Sequence, residues 1–198
     1  MLSLQGVELR PPAPDEFTLL TELRNRNRRW FGNPHALEPD SAAAWLATRH
    51  DEDRLLCIVT GGLIVGTIGW VRLPVPGRIY EMGRTIGDYR AAREAGCDAG
   101  QLRNAVRLAM HQALGHLFDA CCADAVYARI RPENGLVRKV VGVFGCRTGP
   151  WPFPDPDPHL ESWHLTRADW FTSRGRILSR INAHTRKAGT KDTGQAMP

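Results

Sequence analysis

The sequence predicts an α/β fold built on one mixed sheet, and three observations carry that reading. Apolar runs at Leu55–Thr60 and Leu63–Leu73 flank a Gly61-Gly62 turn, and a third run at Ile79–Ile86 follows the break made by Pro74, Pro76 and Gly77. Together they describe an antiparallel meander. Between Gln101 and Cys121, residues Leu102, Ala105, Val106, Ala109, Ala113, Leu117 and Phe118 fall on one stripe at helical spacing, so a long amphipathic helix follows the meander. Ala125–Ile130 is then β-rich and buried in character, so the chain crosses over through that helix into a further strand of the same sheet.

The other elements follow in order. Val7–Arg10 alternates and then meets Pro11, Pro12 and Pro14, giving a short strand and a turn. Asp15 is placed to cap a first helix on Phe17, Leu20 and Leu23, which runs into LRNRNRRWFGN at 23–33. Ser41 caps a second short helix carrying Ala44, Trp45 and Ala47. Counting Val7–Arg10 as the first strand, the long helix follows the fourth. The stretch Gly87–Gly100 reads as a loop. Asn134 caps a short helix at 135–144 that Gly145 ends. Pro150 to Pro158 punctuate an extended loop, Glu161–Thr166 alternates as a last strand, and Ala168–Ala183 is a basic helix. From Ala188 the composition is linker-like, and a disordered end is expected.

Composition excludes several classes. The chain has 198 residues, 42% hydrophobic and 24% charged, which suits one soluble domain and rules out collagen, long coiled coil and wholesale disorder. The net charge of +5 is local: residues 1–169 hold 20 basic and 20 acidic groups, whereas 170–198 hold six basic groups against Asp192 alone. We therefore divide the chain into a neutral body at 1–170 and a basic helix and flexible tail at 171–198. Five cysteines occur with no CxxC pair, and Cys121 and Cys122 are adjacent, so small buried hydrophobes are a better reading than a disulfide framework or zinc site. Seven histidines lack metal spacing, and no metal is expected. No apolar run approaches 18 residues, and MLSLQGVELRPP is too short and polar for a signal peptide; a cytoplasmic protein with no membrane contact is expected.

Five local patterns, in this order, resemble the GNAT superfamily of N-acetyltransferases, in particular the branch with ribosomal-protein-alanine and sugar-amine acetyltransferases. Leu23-Arg24-Asn25, Asn27 and Trp30-Phe31, followed by Trp45, are similar to the entry helices of that branch. Val65-Gly66 with Gly69 resembles its third strand, and Glu81-Met82-Gly83 with Ile86 its fourth. Asn134, eleven residues before Gly145, resembles the helix after its fifth strand. The ending Trp163-His164-Leu165-Thr166-Arg167 with Trp170 resembles the last strand and closing helix. The resemblance covers about residues 6–170 and implies acyl transfer from an acyl-CoA, acetyl-CoA above all, to an amine of a small molecule or a protein N-terminus.

The resemblance implies a site as well. Glu81 would serve as general base, against the alternative of a strand-end salt bridge. Ile86, Arg90, Arg93, Gly96, Gly100 and Asn134 would hold the donor, with Asn134 equally readable as a plain helix cap. Arg24, Asn27, Trp30 and an exposed Trp151 would face the acceptor. The sequence also departs from the family. A Q/R-x-x-G-x-G/A turn normally opens the long helix, its glycines bringing backbone N–H groups to a diphosphate. Here DYRAAREAGCDAGQLRNAVRL (88–108) keeps Tyr89-Arg90, but the loop is about seven residues too long. Asp98 or Leu102 stands where the second glycine belongs, depending on the register chosen. Val141 replaces a common general-acid tyrosine, Val137 a common serine, and the GF ending is Gly145-Cys146. Three readings stay open: a CoA-dependent N-acyltransferase; a transferase drawing on an acyl- or aminoacyl-tRNA, with Arg174, Arg176, Arg180, Arg186 and Lys187 on the RNA backbone; and a non-catalytic RNA- or protein-binding module.

Overall fold

Alternation in the strands decides which face each side chain takes. In Leu55–Val59, Leu55, Cys57 and Val59 point one way and join Leu20, Leu23 and Ile64 in a small cluster. Leu56 and Ile58 point the other way into the main core. The sheet is thus covered on both faces. The computed structural model describes residues 2–4, 6–32, 34–38, 40, 41, 43, 44, 52–152 and 158–189, with side chains of that set placed between residues 6 and 183.

The strands are β1 (Leu2–Leu4), β2 (Val7–Arg10), β3 (Asp53–Thr60), β4 (Leu63–Arg72), β5 (Ile79–Gly87), β6 (Ala125–Ile130), β7 (Arg147–Thr148) and β8 (Glu161–Thr166). They form one sheet in the order β1-β2-β3-β4-β5-β6-β8-β7. Every neighbouring pair is antiparallel except β5 with β6. The helices are α1 (Phe17–Arg26), α2 (Tyr89–Glu94), α3 (Ala99–Gly115), α4 (Gly135–Val143) and α5 (Arg167–Gly189). The predicted mixed α/β sheet with a long helix after the meander is the observed architecture. The meander turn at Gly61-Gly62 has φ of +57° and +79°, the left-handed pair that a two-residue hairpin requires.

Some elements differ from expectation. β1, joined to β2 through Gly6, had no signal beyond MLSL. The stretch Gly87–Gly100 is not a loop throughout. Asp88 caps α2 by accepting from the Ala91 N–H at 2.8 Å, and α3 starts at Ala99, earlier than the apolar stripe suggested. The helix after Ser41 is seen only in part: Asp40, Ser41, Ala43 and Ala44 are helical, and Trp45 and Ala47 lie outside the described residues.

The C-terminal helix begins at Arg167 and runs to Gly189 without a break at residue 170. Ile177 and Ile181 are buried in the main core with Leu114, Leu117 and Phe118. Trp170 stacks on Phe118 at 5.7 Å between ring centroids, and His111 lies 5.1 Å from Trp170 on the other side. Helical spacing of Trp170, Ile177 and Ile181 explains this: they share one face, bordered by Arg174 against Asp119, while Arg176 and Arg180 take the other. After Gly115 the turn His116–Ala120 widens to i→i+5, with the Cys121 N–H donating to the His116 carbonyl at 3.1 Å. All five cysteines are free thiols.

Two outcomes follow from the packing. A β-carbon at Gly66 would collide with the Ile86 carbonyl, a backbone atom of the next strand, whereas one at Gly175 in α5 meets nothing within 4 Å. Urea denaturation should show Gly66→Ala destabilised by about 2–4 kcal/mol and Gly175→Ala stabilised by about 0.5–1 kcal/mol. Burial pushes the thiols of Cys57 and Cys146 up to about 12, so both stay protonated at pH 8. Ellman's reagent should modify the buried Cys57 only as the protein unfolds; fast modification of Cys57 in the native protein would contradict this packing.

Candidate active site

The parallel ladder between β5 and β6 is short. It joins Ile79 with Ala125, Tyr80 with Val126 and Glu81 with Tyr127, and goes no further. β5 continues for six residues beyond Glu81 and β6 for three beyond Tyr127, so the two strands part. A bulge contributes to the parting. Thr67 faces Ile86 and Gly69 faces Gly83, which leaves Arg84 and Thr85 on β5 against Ile68 alone. A bulge of this kind bends the strand and re-aims its backbone. At its centre Arg84 has φ of +55°, a left-handed conformation that costs a non-glycine residue about 1 kcal/mol or more and is held only by surrounding contacts. Here the buried Thr67 hydroxyl donates to the Arg84 carbonyl at 2.8 Å, and the Arg84 guanidinium pairs with Asp53 at 2.5 Å.

The opening leads into a pocket of about 560 Å³, within the range of small-molecule sites. One wall is Met82, Gly83, Arg84, Thr85 and Gly87 of β5, and the facing wall is Ala128, Arg129 and Ile130 of β6. The last turn of α1 and the segment after it close one end with Arg24, Trp30 and Phe31; Tyr89, Leu102 and Arg103 lie at the start of the helices that follow β5; Asn134, Val137 and Val141 come from α4 and its cap.

Glu81 lines this pocket and is tied to Arg129, whose Nε and Nη2 donate to its two carboxylate oxygens at 3.0 and 3.3 Å. The geometry has a sequence origin. Glu81 is in register with Tyr127, and Arg129 is two residues further along the same face, which brings its side chain diagonally across the gap. Arg129 is covered in turn by Trp151, 4.7 Å from its guanidinium, and Trp151 makes an edge contact with Tyr127 at 5.6 Å. Trp151 was expected to be exposed over the acceptor; it is half-buried against Arg129 and does not line the pocket. Arg24 lies 5.3 Å above the Phe31 ring and donates to the His35 carbonyl. Burial, with Arg28 nearby, lowers its guanidinium below the usual value. Asn27 does not line the pocket. Its amide turns back to the Leu23 carbonyl at 2.9 Å, closing the end of α1.

The expected donor residues are only partly gathered. Asn134 lines the pocket and also caps α4, accepting from the Val137 N–H at 3.2 Å. Ile86 is buried in the sheet, and Arg90 is paired with Glu94 at 3.2 Å on an exposed helix surface. Arg93 is exposed, Gly96 forms a turn at φ +71°, and neither Gly96 nor Gly100 lines the pocket. At the start of α3 the Asp98 carboxylate accepts from the N–H groups of Gly100 at 2.5 Å and Gln101 at 2.8 Å. Gln101 answers by accepting from the Asp98 N–H at 2.7 Å, a complete capping box. The parted strands suit an extended acyl-thioester arm. The helix start does not suit a diphosphate, because Asp98 already takes the N–H groups of Gly100 and Gln101 there. In α5, Arg174 is held by Asp119 at 3.2 Å and lies 4.6 Å over Phe171; Arg176 and Arg180 are exposed, and the side chains of Arg186 and Lys187 lie outside the described residues. Among the described residues no group of three or more His, Cys, Asp or Glu could hold a metal ion, and no helix is long and apolar enough to cross a membrane.

Sequence reasoning missed Arg129 and Arg84. Arg129 had a findable signal, a charge in an otherwise apolar strand beside a strand carrying Glu81. Arg84 had none, since only the bulge gives it a role.

Comparisons with known proteins bear on this arrangement. The description "Acetyltransferase (GNAT) domain" matches residues 7–147. RimJ of Mycobacterium smegmatis, solved with CoA-disulfide, superposes with a TM-score of 0.65 at 18% identity, covering 89% of each chain. The spermidine N-acetyltransferase of Vibrio cholerae, solved with CoA and spermine, gives 0.67 at 13% identity, covering 85% of this chain and 99% of its own. A GCN5-related N-acetyltransferase from Brucella melitensis gives 0.65 at 16% identity, covering 90% and 84%. No curated protein matches the sequence. At these identities the solved structures speak for the fold alone, but the domain match spans most of the chain, and with the parted β5 and β6 strands it places the protein in the GNAT acetyltransferase family.

Proposed function

We propose that the protein is an N-acyltransferase that moves an acyl group from a thioester, acyl-CoA by preference, to an amine on a small molecule or a protein N-terminus. The observation that carries this reading is the gap beyond Glu81 and Tyr127, opening into a pocket that touches Glu81 at one side and the start of α3 at the other. The similar structures that hold CoA support the donor, and the one that also holds spermine supports an amine acceptor.

In this reading the amine nitrogen attacks the thioester carbonyl between the two strands, a C–N bond forms, and the C–S bond breaks to release a thiol. Binding both partners in one gap supplies proximity. Beyond Glu81, β5 is no longer paired with β6, and a backbone N–H on that released edge would be the donor for the carbonyl oxygen as it gains charge. The amine must lose a proton. Glu81 is the carboxylate on the pocket wall, and although Arg129 occupies both of its oxygens, each keeps a further lone pair for a water or an ammonium. The leaving sulfur must gain a proton, and Val137 and Val141 offer none. Tyr89 is the pocket-lining phenol, and its exposure at 47% leaves it in contact with water.

A second reading, with an acyl group carried on RNA, draws support from the capped start of α3 and from the arginines of α5. A transfer assay with charged tRNA, before and after ribonuclease, tests it: transfer that survives ribonuclease removes it. For the first reading, acetyl-CoA is mixed with a panel of amines and free thiol release is followed. Glu81→Gln should lower kcat/KM by about 10²-fold, with an unchanged far-ultraviolet spectrum. A variant as active as wild type would leave Glu81 as a strand-end salt bridge, whereas no turnover by either protein with any donor would favour a binding module.

A further inference from the structure

The start of α3 is where the resemblance would place a diphosphate, and this chain fills that place with its own carboxylate. Asp98 takes the N–H groups of Gly100 and Gln101, and Gln101 locks it there through the return bond to the Asp98 N–H. A diphosphate brought to the same N–H groups would have to expel the carboxylate or stand beside it as a like charge. Access is restricted further by Leu102, a buried bulky side chain one residue on from the capped N–H of Gln101. The extra length before α3 does not make up for it. That length folds as α2, whose Asp88 is engaged with Ala91 and Arg26, and whose Arg90 is engaged with Glu94. Arg103 is the one cation from residues 88–103 on the pocket wall. The gap between β5 and β6, by contrast, carries no such obstruction, and Asn134 and Val137 border it.

Resting on the acyl-transfer reading above, we propose that this enzyme recognises its donor through the acyl-pantetheine arm alone, so that thioesters lacking the nucleotide diphosphate are held as well as CoA thioesters. Asp98 is the residue that sets this selectivity. It acts as a permanent occupant of the anion position at the helix start. Replacing it with glycine frees the two N–H groups at a cost of only a few tenths of a kcal/mol to the helix, because glycine is itself a tolerated cap.

The test is isothermal titration of the full chain with CoA and, separately, with pantetheine, for wild type and Asp98→Gly, with a thermal melt of each protein. Wild type should bind the two ligands with dissociation constants within about fivefold of each other. Asp98→Gly should tighten CoA by about tenfold or more and leave pantetheine unchanged. Wild type binding CoA more than about fivefold tighter than pantetheine overturns the inference while leaving the acyl-transfer reading standing. So does an Asp98→Gly protein with an unaltered ratio. A folded wild-type protein that binds neither ligand overturns the acyl-transfer reading and this inference together.

Discussion

The molecule depends on two neighbouring strands that pair for three residues and then stop. A parallel ladder carries evenly spaced hydrogen bonds as long as both backbones keep the same twist. The bulge at Arg84 and Thr85 changes the course of β5 while its antiparallel contact with β4 is kept on the other side. β6 is held to its own course by six residues of antiparallel pairing with β8. Each strand is therefore secured on its outer edge and released on its inner one. A sheet opened in its middle would ordinarily collapse or take up another strand, and here the helices prevent both. α3 packs Leu102, Val106 and Met110 along one side of the opening, and α4 packs Val137, Val140 and Val141 along the other. The bulge is costly by itself, and Thr67 and the Arg84–Asp53 pair keep it in place.

Charge is arranged with the same economy. Arginine is abundant, but among the described residues three of the four arginines lining the opening are engaged: Arg84 with Asp53, Arg129 with Glu81 and Trp151, Arg24 with Phe31 and a carbonyl. Ion pairs at this partial exposure contribute modestly to stability. Their larger effect is to fix long side chains in one orientation around a cavity, which a rigid site requires and which free arginines would not supply.

Much of this fold was legible because its signals are local and redundant. Gly61-Gly62 permits only a tight turn, the stripe from Leu102 to Phe118 only a helix, and the alternation in Leu55–Val59 divides the strand between two cores. Glu81 and Asn134 were readable from their strand-end and cap positions. What stayed hidden was set by contacts distant in sequence. Arg90 and Arg93 looked like phosphate ligands because the preceding stretch looked like loop; once Asp88 caps a helix there, they face solvent. Asp98 was recognisable as an acid out of place, but its use as a cap requires knowing that α3 begins at Ala99. The C-terminal helix read as an appendage because the chain's whole excess of basic residues falls there, yet Trp170, Ile177 and Ile181 at the right spacing anchor it in the core.

That last feature bears on how the protein comes off the ribosome. Trp170, Ile177 and Ile181 are the last-made members of the main hydrophobic cluster, and they cover Leu114, Leu117 and Phe118 on α3 and its widened final turn. Until the exit tunnel has released them, the nascent chain carries a finished sheet and a long helix with an uncovered apolar strip. Intermediates of this kind are sticky and invite premature association. Arg176 and Arg180 on the outer face of α5 then have a second consequence: they favour solubility of the late-arriving helix before it docks, so the last part of the core to be made also carries the chain's net positive charge.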